Sequence, residues 1–278
     1  MAATEAPALG SGVSFRPQFR ADLFAHRDEV DFLEIIADHY IDASREKLGE
    51  LELLKAHFPL VAHGLDLSIG GAEGLDALYL DKIAALIERI DPPWWSDHLC
   101  FTRAGGVRIG HLASLPYTQE AIDVVARNVE CLRRRVKTPL ILENIACVVR
   151  IPGAEMDEPA FLSRALEATG CGWLCDVANL HVNATNFGYD LDAEFERWPW
   201  DRLVQIHYAG GRERDGRLID SHDSATSDGV WTLYDRIVAR APVKGTALER
   251  DEKIPPFSEV VGELARARAT LKEHGRWR

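Results

Sequence analysis

The feature that most restricts the fold of this chain is a regular alternation of strand-like and helix-like stretches along almost its whole length. Short apolar runs of strand length alternate with longer stretches in which leucine and isoleucine recur at helical spacing. The predicted strands are 12–15, 30–36, 60–65, 94–101, 139–149, 172–177, 203–208 and 243–249. The predicted helices are 16–27, 44–57, 75–90, 118–136, 158–169, 191–198, 228–240 and 258–273.

About eight strand–helix units are the number that closes a parallel barrel. We therefore predict an α/β fold, a TIM-type (β/α)8 barrel. An open doubly wound sheet is the alternative, but no Gly-x-Gly-x-x-Gly follows the first strand to support a dinucleotide fold. No linker divides the 278 residues, so we expect one domain over 1–278, with 1–10 as a flexible N-terminal tail.

Composition excludes several classes of function. A net charge of -12 and a pI near 5.3 argue against a nucleic-acid partner, because such binders need a cationic surface. No apolar run approaches the ~20 residues that cross a bilayer, and the N-terminus does not resemble a secretory signal. The five cysteines are odd in number and lack CxxC spacing, which is typical of reduced thiols. We expect a cytoplasmic protein without a membrane partner.

Metal-binding residue types stand near the ends of successive predicted strands. They are Glu34, His63, His98 beside Asp97, Glu143, Asp176, His207 and Glu249. In a βα barrel the carboxyl ends of the strands meet at one opening, where the catalytic groups lie. Carboxylates aimed into one opening repel each other unless protons or cations intervene. This pattern therefore predicts a multinuclear metal site at the C-terminal end of the barrel.

Two loops add further candidates. Asp220 and His222 stand two residues apart, so that an extended backbone would point both the same way. In DVANLHVNATN, Asn179 is nearest the strand end, although asparagine and histidine in a loop are more often turn residues. Imidazole and carboxylate donors suit iron, manganese or zinc. Their number exceeds what one ion binds, so we expect two or three ions, with Glu143 as a bridge.

Ten segments together resemble the multinuclear non-heme iron-dependent oxidative enzymes, whose best-known member is the methanobactin biosynthesis oxidase. The segments are FLEIIADHY, LVAHGLDLSIGG, WWSDHLCF, LPYTQEA, LILENIA, WLCDVANLHVNATN, VQIHYAGG, LIDSHD, VWTLYDRI and LERDEKIPP. The resemblance covers nearly the whole chain and implies a TIM barrel with two or three iron ions. Many members have Glu-Asn where this chain has Asp38-His39, and a double asparagine where it has Ala178-Asn179.

The resemblance also implies residue roles and an activity. The implied metal ligands are His63, His98, Glu143, Asp176, Asn179, His207, Asp220, His222 and Glu249. Among them Glu143, Asp176, Asp220 and Glu249 are the catalytic candidates. From their places next to these ligands we expect Asp97, Asn144 and Arg250, together with Asn179, to orient ligands or hold the cofactor. Members use mixed-valent iron and dioxygen to oxidise cysteine, or another residue, in ribosomally made precursor peptides, and many need a partner protein that binds the peptide leader.

Two other interpretations stay open on the residues alone. A sugar isomerase or a metal-dependent phosphoesterase on the same barrel would also place histidine and carboxylate at strand ends. A non-enzymatic protein that stores or senses iron would use the same donors.

Overall fold

The computed structural model describes residues 5–277. Its strands are β1 (Gly10–Ser14), β2 (Leu33–Ile36), β3 (Leu60–Gly64), β4 (Trp95–His98), β5 (Phe101–Ala104), β6 (Val107–Ala113), β7 (Leu140–Glu143), β8 (Gly172–Asp176), β9 (Leu203–Tyr208), β10 (Arg212–Arg214), β11 (Arg217–Ile219) and β12 (Gly245–Leu248). Eight of them pair in parallel and close a barrel in the order β1-β2-β3-β4-β7-β8-β9-β12. The barrel prediction is confirmed.

Helices surround the barrel. They are α1 (Arg20–Ala25), α2 (Arg45–His57), α3 (Ala77–Ile90), α4 (Gln119–Arg135), α5 (Glu158–Thr169), α6 (Val177–Phe187), α7 (Leu191–Glu194), α8 (Asp228–Arg240) and α9 (Phe257–Glu273). Several begin at a side-chain cap that accepts a bond from a first-turn N–H, including Ser44, Asp76, Thr118 and Ser227. Within the described residues, no helix is both long and apolar enough to cross a membrane.

The barrel interior changes from apolar to polar along the strands. An apolar floor is formed by Phe32, Val61, Trp94, Ile141, Leu174, Val204 and Ala247. Side chains of a strand alternate between its two faces, so the residue two positions later points into the same interior. On five strands that residue is Glu34, His63, Ser96, Glu143 or Asp176, and all five are buried. The polar groups thus form a layer above a closed apolar floor.

Some predicted elements differ from the structure. The strand predicted over 139–149 ends at Glu143, because the chain turns there into a loop that lines the barrel opening. The loop predicted after Asp176 is helix α6, which Asp176 itself caps. Two antiparallel hairpins, β5–β6 and β10–β11, were not predicted, since each is a short exposed insertion with little apolar periodicity.

The N-terminal prediction also needs correction. Residues 1–4 of the predicted tail lie outside the described part of the chain. Ala6 and Leu9 are buried against the barrel floor, the backbone N–H of Leu9 donates to the carbonyl of Lys244, and Gly10 begins β1. Over these positions the expectation of a flexible tail is wrong, because apolar side chains cover the lower end of the barrel. All five cysteines are unpaired, as expected.

Candidate metal centre

Six ligand-type side chains from the ends of six strands meet at the mouth, which is the opening at the carboxyl ends of the barrel strands; five lie on a strand, and Glu249 directly follows β12. We call this set the donor cluster, and its members are His63, His98, Glu143, Asp176, His207 and Glu249. All six are buried. Each was predicted from its place at a strand end, and the structure brings them together.

Glu143 lies at the centre of the donor cluster. Its Oε2 is 3.4 Å from His63 Nε2 and 3.3 Å from His98 Nε2, while its Oε1 is 3.3 Å from His207 Nδ1. One group of donor atoms within 4.8 Å of one another contains His63, His98 and Glu143. A second group contains Glu143, Asp176, His207 and Glu249. Glu143 is common to both groups, which is the position that a bridging carboxylate requires.

A further pair of donors comes from the loop after β11. His222 Nε2 is 2.7 Å from Asp220 Oδ1, and His222 Nδ1 is 3.5 Å from Glu249 Oε2, so this pair adjoins the donor cluster. Asp251 also contacts His222 Nδ1, at 3.0 Å, and forms an ion pair with Arg16. Asp251 was not predicted. It stands two residues after Glu249, a spacing that could have drawn attention to it.

Asp176 is held in place by its neighbours. Its Oδ1 accepts a hydrogen bond of 2.8 Å from the N–H of Asn179, as the cap of α6. Asn144 accepts from the N–H of Asp176 at 3.1 Å and donates to its carbonyl at 2.9 Å. Asn179 donates to the carbonyl of Asn144 at 3.1 Å. Asn144 therefore lies where we expected a ligand-orienting residue.

Several buried side-chain atoms at the mouth that could ligate a metal have no hydrogen-bond partner within the residues that the structure describes. They are His98 Nδ1, Glu143 Oε2, Asp176 Oδ2 and Asn179 Oδ1. Buried polar atoms are usually paired, because leaving one unpaired costs roughly 1–3 kcal/mol. Imidazole nitrogens with carboxylate and amide oxygens are ligands for iron, manganese or zinc. The chemistry of the site therefore fits bound metal.

The electrostatics of the site are those of crowded charges. Burial, together with the negative charges of Asp220 and Glu143, raises the pKa of Asp176 well above its usual range. Burial lowers the pKa of His98 to about 4, so this imidazole is neutral and able to bind a metal. Burial would raise the pKa of Glu249, but His207 and His222 hold it well below its usual range. A cation among these acids would relieve their mutual repulsion.

A buried polar chain fixes the ring of His207. Glu34 lies 2.8 Å from His207 Nε2, and both side chains are fully buried. Gln205 donates to Glu34 at 2.6 Å, and Trp94 Nε1 donates to Gln205 at 2.6 Å. The chain leaves Nδ1 of His207 facing Glu143 and Glu249. We placed Glu34 at a strand end without assigning it a role, and we missed Gln205, which precedes His207 by the two-residue period of its strand.

The ring of His63 is held in a similar way. Ser96 Oγ lies 2.8 Å from His63 Nδ1, which leaves Nε2 facing Glu143. Partners of this kind fix the orientation of ligand imidazoles and tune metal affinity. Ser96 was not predicted, although it precedes His98 by two residues on β4.

Two predicted residues point elsewhere. Asp97 lies between the inward-facing Ser96 and His98, so its side chain projects to the outer face of β4, where burial and then the charge of Asp38 raise its pKa. Arg250 pairs with Glu263 and donates to the carbonyl of Ser224. Each has the opposite strand parity to the neighbouring donor, so neither side chain reaches into the donor cluster to hold the cofactor itself. Asp97 Oδ1 accepts a hydrogen bond of 2.7 Å from the N–H of His98, which is a position from which it can orient that residue.

A cavity of about 970 Å³ opens above the donor cluster. Its walls come from the β5–β6 hairpin, the loop after β7, helix α6 and the β10–β11 hairpin, and Asp38 and His39 line it as well. The cavity is within the 300–1,000 Å³ typical of ligand pockets. It is large enough to receive several residues of an extended peptide.

Comparisons with known proteins agree on both family and fold. A family model described as "RiPP precursor modification enzyme MbnB/TglH/ChrH" matches residues 10–272; RiPPs are ribosomally synthesised and post-translationally modified peptides. A UPF0276 protein of Caulobacter vibrioides is 36% identical over 264 residues, covering 95% of this chain and 94% of that protein. A UPF0276 protein of Rhizorhabdus wittichii is 37% identical over 247 residues, covering 89% and 88%.

Solved structures show the same barrel. A D-psicose 3-epimerase crystallised with D-fructose has a TM-score of 0.58 at 12% identity, covering 96% of this chain and 99% of the epimerase. Endonuclease IV from Thermus thermophilus has a TM-score of 0.57 at 15% identity, covering 96% and 100%. At these identities the likeness shows the fold alone.

Proposed function

The chain belongs to the MbnB/TglH/ChrH family of RiPP precursor modification enzymes, and from this premise we propose that it is an iron- and dioxygen-dependent oxidase of a cysteine in a ribosomally made peptide. Another residue type of the peptide is the alternative target. The observation that carries the proposal is the position of Glu143, which is shared by two groups of donor atoms. Two adjacent ions, with a third near Asp220 and His222, would use all these donors.

Each protein group has a definable part in this proposal. The donor cluster with Asn179, Asp220 and His222 would hold two or three ions, and iron in mixed valence would supply one-electron chemistry with dioxygen. Glu34 and Ser96 keep the imidazoles of His207 and His63 turned towards the site. Asn144 keeps the backbone of Asp176 in place. The apolar floor beneath the cluster excludes water from below.

The cavity above the donor cluster supports a peptide substrate. It is open to the surface, and beside helix α6 its walls are a loop and two hairpins, which can follow an extended chain. A substrate cysteine entering from this side would meet the donor cluster without crossing the barrel. We also propose a partner protein that binds the peptide leader, because the family resemblance implies one.

The alternative functions make different predictions. The sugar epimerase and endonuclease neighbours share the barrel, and a metal-dependent isomerase or phosphoesterase would work with zinc, manganese or magnesium and without oxygen. Membership of a family of modification enzymes supports an enzyme over a protein that only stores or senses iron.

The test is to purify the protein without oxygen, measure its metals and follow oxygen uptake with short Cys-containing peptides taken from the open reading frames that neighbour its gene. We expect iron, peptide-dependent oxygen consumption and a mass change that maps to cysteine. A Cys→Ser peptide and the Glu143→Gln enzyme are the matched controls, and neither should react. Iron-loaded protein that consumes no oxygen with the peptide, or activity with zinc in the absence of oxygen, would overturn the proposal.

A further inference from the structure

Helix α6 fastens two neighbouring loops of the mouth with two asparagines three residues apart. Asn183 accepts from the N–H of Cys147 at 2.8 Å and donates to the carbonyl of Ile145 at 3.0 Å, which fixes the loop after β7. Asn186 donates to the carbonyl of Leu218 at 2.8 Å and accepts from its N–H at 2.9 Å, which fixes the β10–β11 hairpin. Residues three apart on a helix face the same way, so both loops are attached to one face of α6.

This arrangement brings two arginines to one aromatic ring. The guanidinium of Arg150, on the loop after β7, lies 4.5 Å from the ring centre of Phe187, the last residue of α6. The guanidinium of Arg217, on β11, lies 5.8 Å from the same ring centre. Cations are attracted to an aromatic face, and the ring therefore holds both guanidiniums at the surface.

The two guanidiniums lack carboxylate partners. Both arginines are exposed, and across residues 5–277 neither has an ion pair within 4.0 Å, although the chain has 44 acidic and 32 basic residues. Two other arginines of the hairpins at the mouth do have carboxylate partners: Arg108 pairs with Asp66, and Arg212 pairs with Asp223. Glu158, which lines the same small cavity as Arg150, acts on it through charge but forms no ion pair with it. Two guanidiniums on one ring without a paired carboxylate favour an anionic group between or beside them.

Exposed apolar side chains surround this arginine pair. Large hydrophobic residues exposed in the described structure include Val148 and Val149 beside Arg150, and Ile219 beside Arg217. The region is a ridge between the main cavity and a smaller one of about 300 Å³ that Tyr117, Glu158 and Tyr189 help to line. An exposed apolar patch with unpaired charges at a cavity edge is typical of an interaction surface.

We propose that Arg150, Phe187 and Arg217, with Val148, Val149 and Ile219, form a docking ridge for an acidic and apolar segment of the peptide substrate. An Asp or Glu carboxylate of the peptide contacts the guanidiniums, and adjoining apolar residues cover the valines and isoleucine. Arg217 precedes Asp220 by three residues, so the docked segment lies next to the loop that carries Asp220 and His222. This inference rests on the proposed function, because it assumes that the cavity receives a peptide.

The test uses a phage-displayed library of random short peptides, selected on the full-length protein. We expect enrichment of sequences in which Asp or Glu adjoins Val, Leu or Ile, and we expect the Arg150→Gln/Arg217→Gln variant to lose it. Arg164→Gln is the matched control, since Arg164 is exposed within α5, and it should select the same peptides as the parent. Identical selection by the parent and the double variant, or no preference for acids, would overturn the docking ridge.

Affinity provides the quantitative readout. By fluorescence anisotropy, the most enriched peptide should bind the double variant about tenfold more weakly, and an Asp/Glu→Asn/Gln version of the peptide should show the same loss with the parent. High salt should reduce the difference. Equal affinities for acidic and amide peptides would refute the proposal.

Iron content separates this inference from the proposed function. The double variant should retain the iron of the parent, because Arg150 and Arg217 lie outside the donor cluster. A parent protein that binds iron but shows no preference for peptides with Asp or Glu would refute the docking ridge and leave the proposed oxidase intact. Acidic selectivity in a protein that binds no iron would refute the proposed oxidase and leave the ridge as a peptide-binding surface. If the double variant no longer binds the leader-binding partner protein but selects the same acidic peptides as the parent, the ridge is the binding surface for that partner, and our inference is wrong.

Discussion

The carboxylate of Glu34 offers a sensitive test of how the barrel controls its metal ligands. Glu34 and His207 are fully buried, and a carboxylate oxygen lies 2.8 Å from His207 Nε2. The change Glu34→Gln keeps the shape of the side chain and its contact with Gln205 while it removes the negative charge. The variant should therefore weaken metal binding through His207 without disturbing the barrel.

The size of the effect follows from this contact. A hydrogen bond to a charged group contributes about 1.5–3 kcal/mol, and one between neutral groups about 0.5–1.5 kcal/mol. The difference of about 1–2 kcal/mol corresponds to roughly a 5- to 30-fold change in affinity, and loss of such partners typically costs 10–100-fold in metal affinity. We therefore expect Glu34→Gln to bind the weakest-held iron about 10–100-fold less tightly.

The assay is anaerobic competition with a ferrous chelator, followed by absorbance. Thr246→Val is the control, because Thr246 is equally buried on β12 but contacts Tyr234 on the outer side of the barrel. The control should compete as the parent does. An iron affinity of Glu34→Gln equal to that of the parent, in a folded protein, would refute the idea that Glu34 supports His207 as a ligand.

Three further predictions follow from other parts of the structure. His222→Ala should lower the iron content by about one ion per chain, measured by elemental analysis, because His222 contacts Asp220 and Glu249 at the edge of the donor cluster; an unchanged content would contradict a third ion there. Asn183→Ala should lower the melting temperature and increase proteolysis of the loop after β7, since its two bonds to that loop are lost; an unaltered cleavage pattern would contradict this. Burial raises the pKa of Glu158 from 4.5 to about 7, so its contribution to stability falls as the pH rises from 4.5 to 7, by at most about 3 kcal/mol. Urea titrations should show a smaller fall in Glu158→Gln than in the parent, because Asp176 and Asp97 also have raised pKa values and remain in the variant; an equal fall in both proteins would contradict this.

Much of the donor cluster could be predicted because its members stand at the carboxyl ends of successive strands, which meet at one opening of a βα barrel. In the structure His63, Glu143 and Asp176 point into the barrel because each stands two positions after a residue of the apolar floor, namely Val61, Ile141 or Leu174. Asp97 stands two positions after Trp95, which is not part of the apolar floor, and one residue from the inward-facing His98, so its side chain projects outward. Residue type alone suggested Asp97, and parity should have had precedence.

The parts that could not be predicted depend on contacts between distant segments. The stretch DVANLHVNATN predicts a loop, because it is rich in asparagine, which is common in turns, whereas the structure has helix α6 there. In the structure Asn183 and Asn186 bond to the backbones of two loops far away in sequence, so they have tertiary partners that no local pattern reveals. The Trp94–Gln205–Glu34 chain is equally non-local, since it joins three strands.

The central claim is that the mouth of the barrel binds adjacent iron ions that share Glu143. The most direct measurement is Mössbauer spectroscopy, with iron quantification, on anaerobically purified protein loaded with the Mössbauer-active isotope. We predict at least two irons per chain with magnetic coupling between ions, and loss of that coupling in Glu143→Gln. One isolated iron per chain, or a spectrum that Glu143→Gln leaves unchanged, would contradict the account.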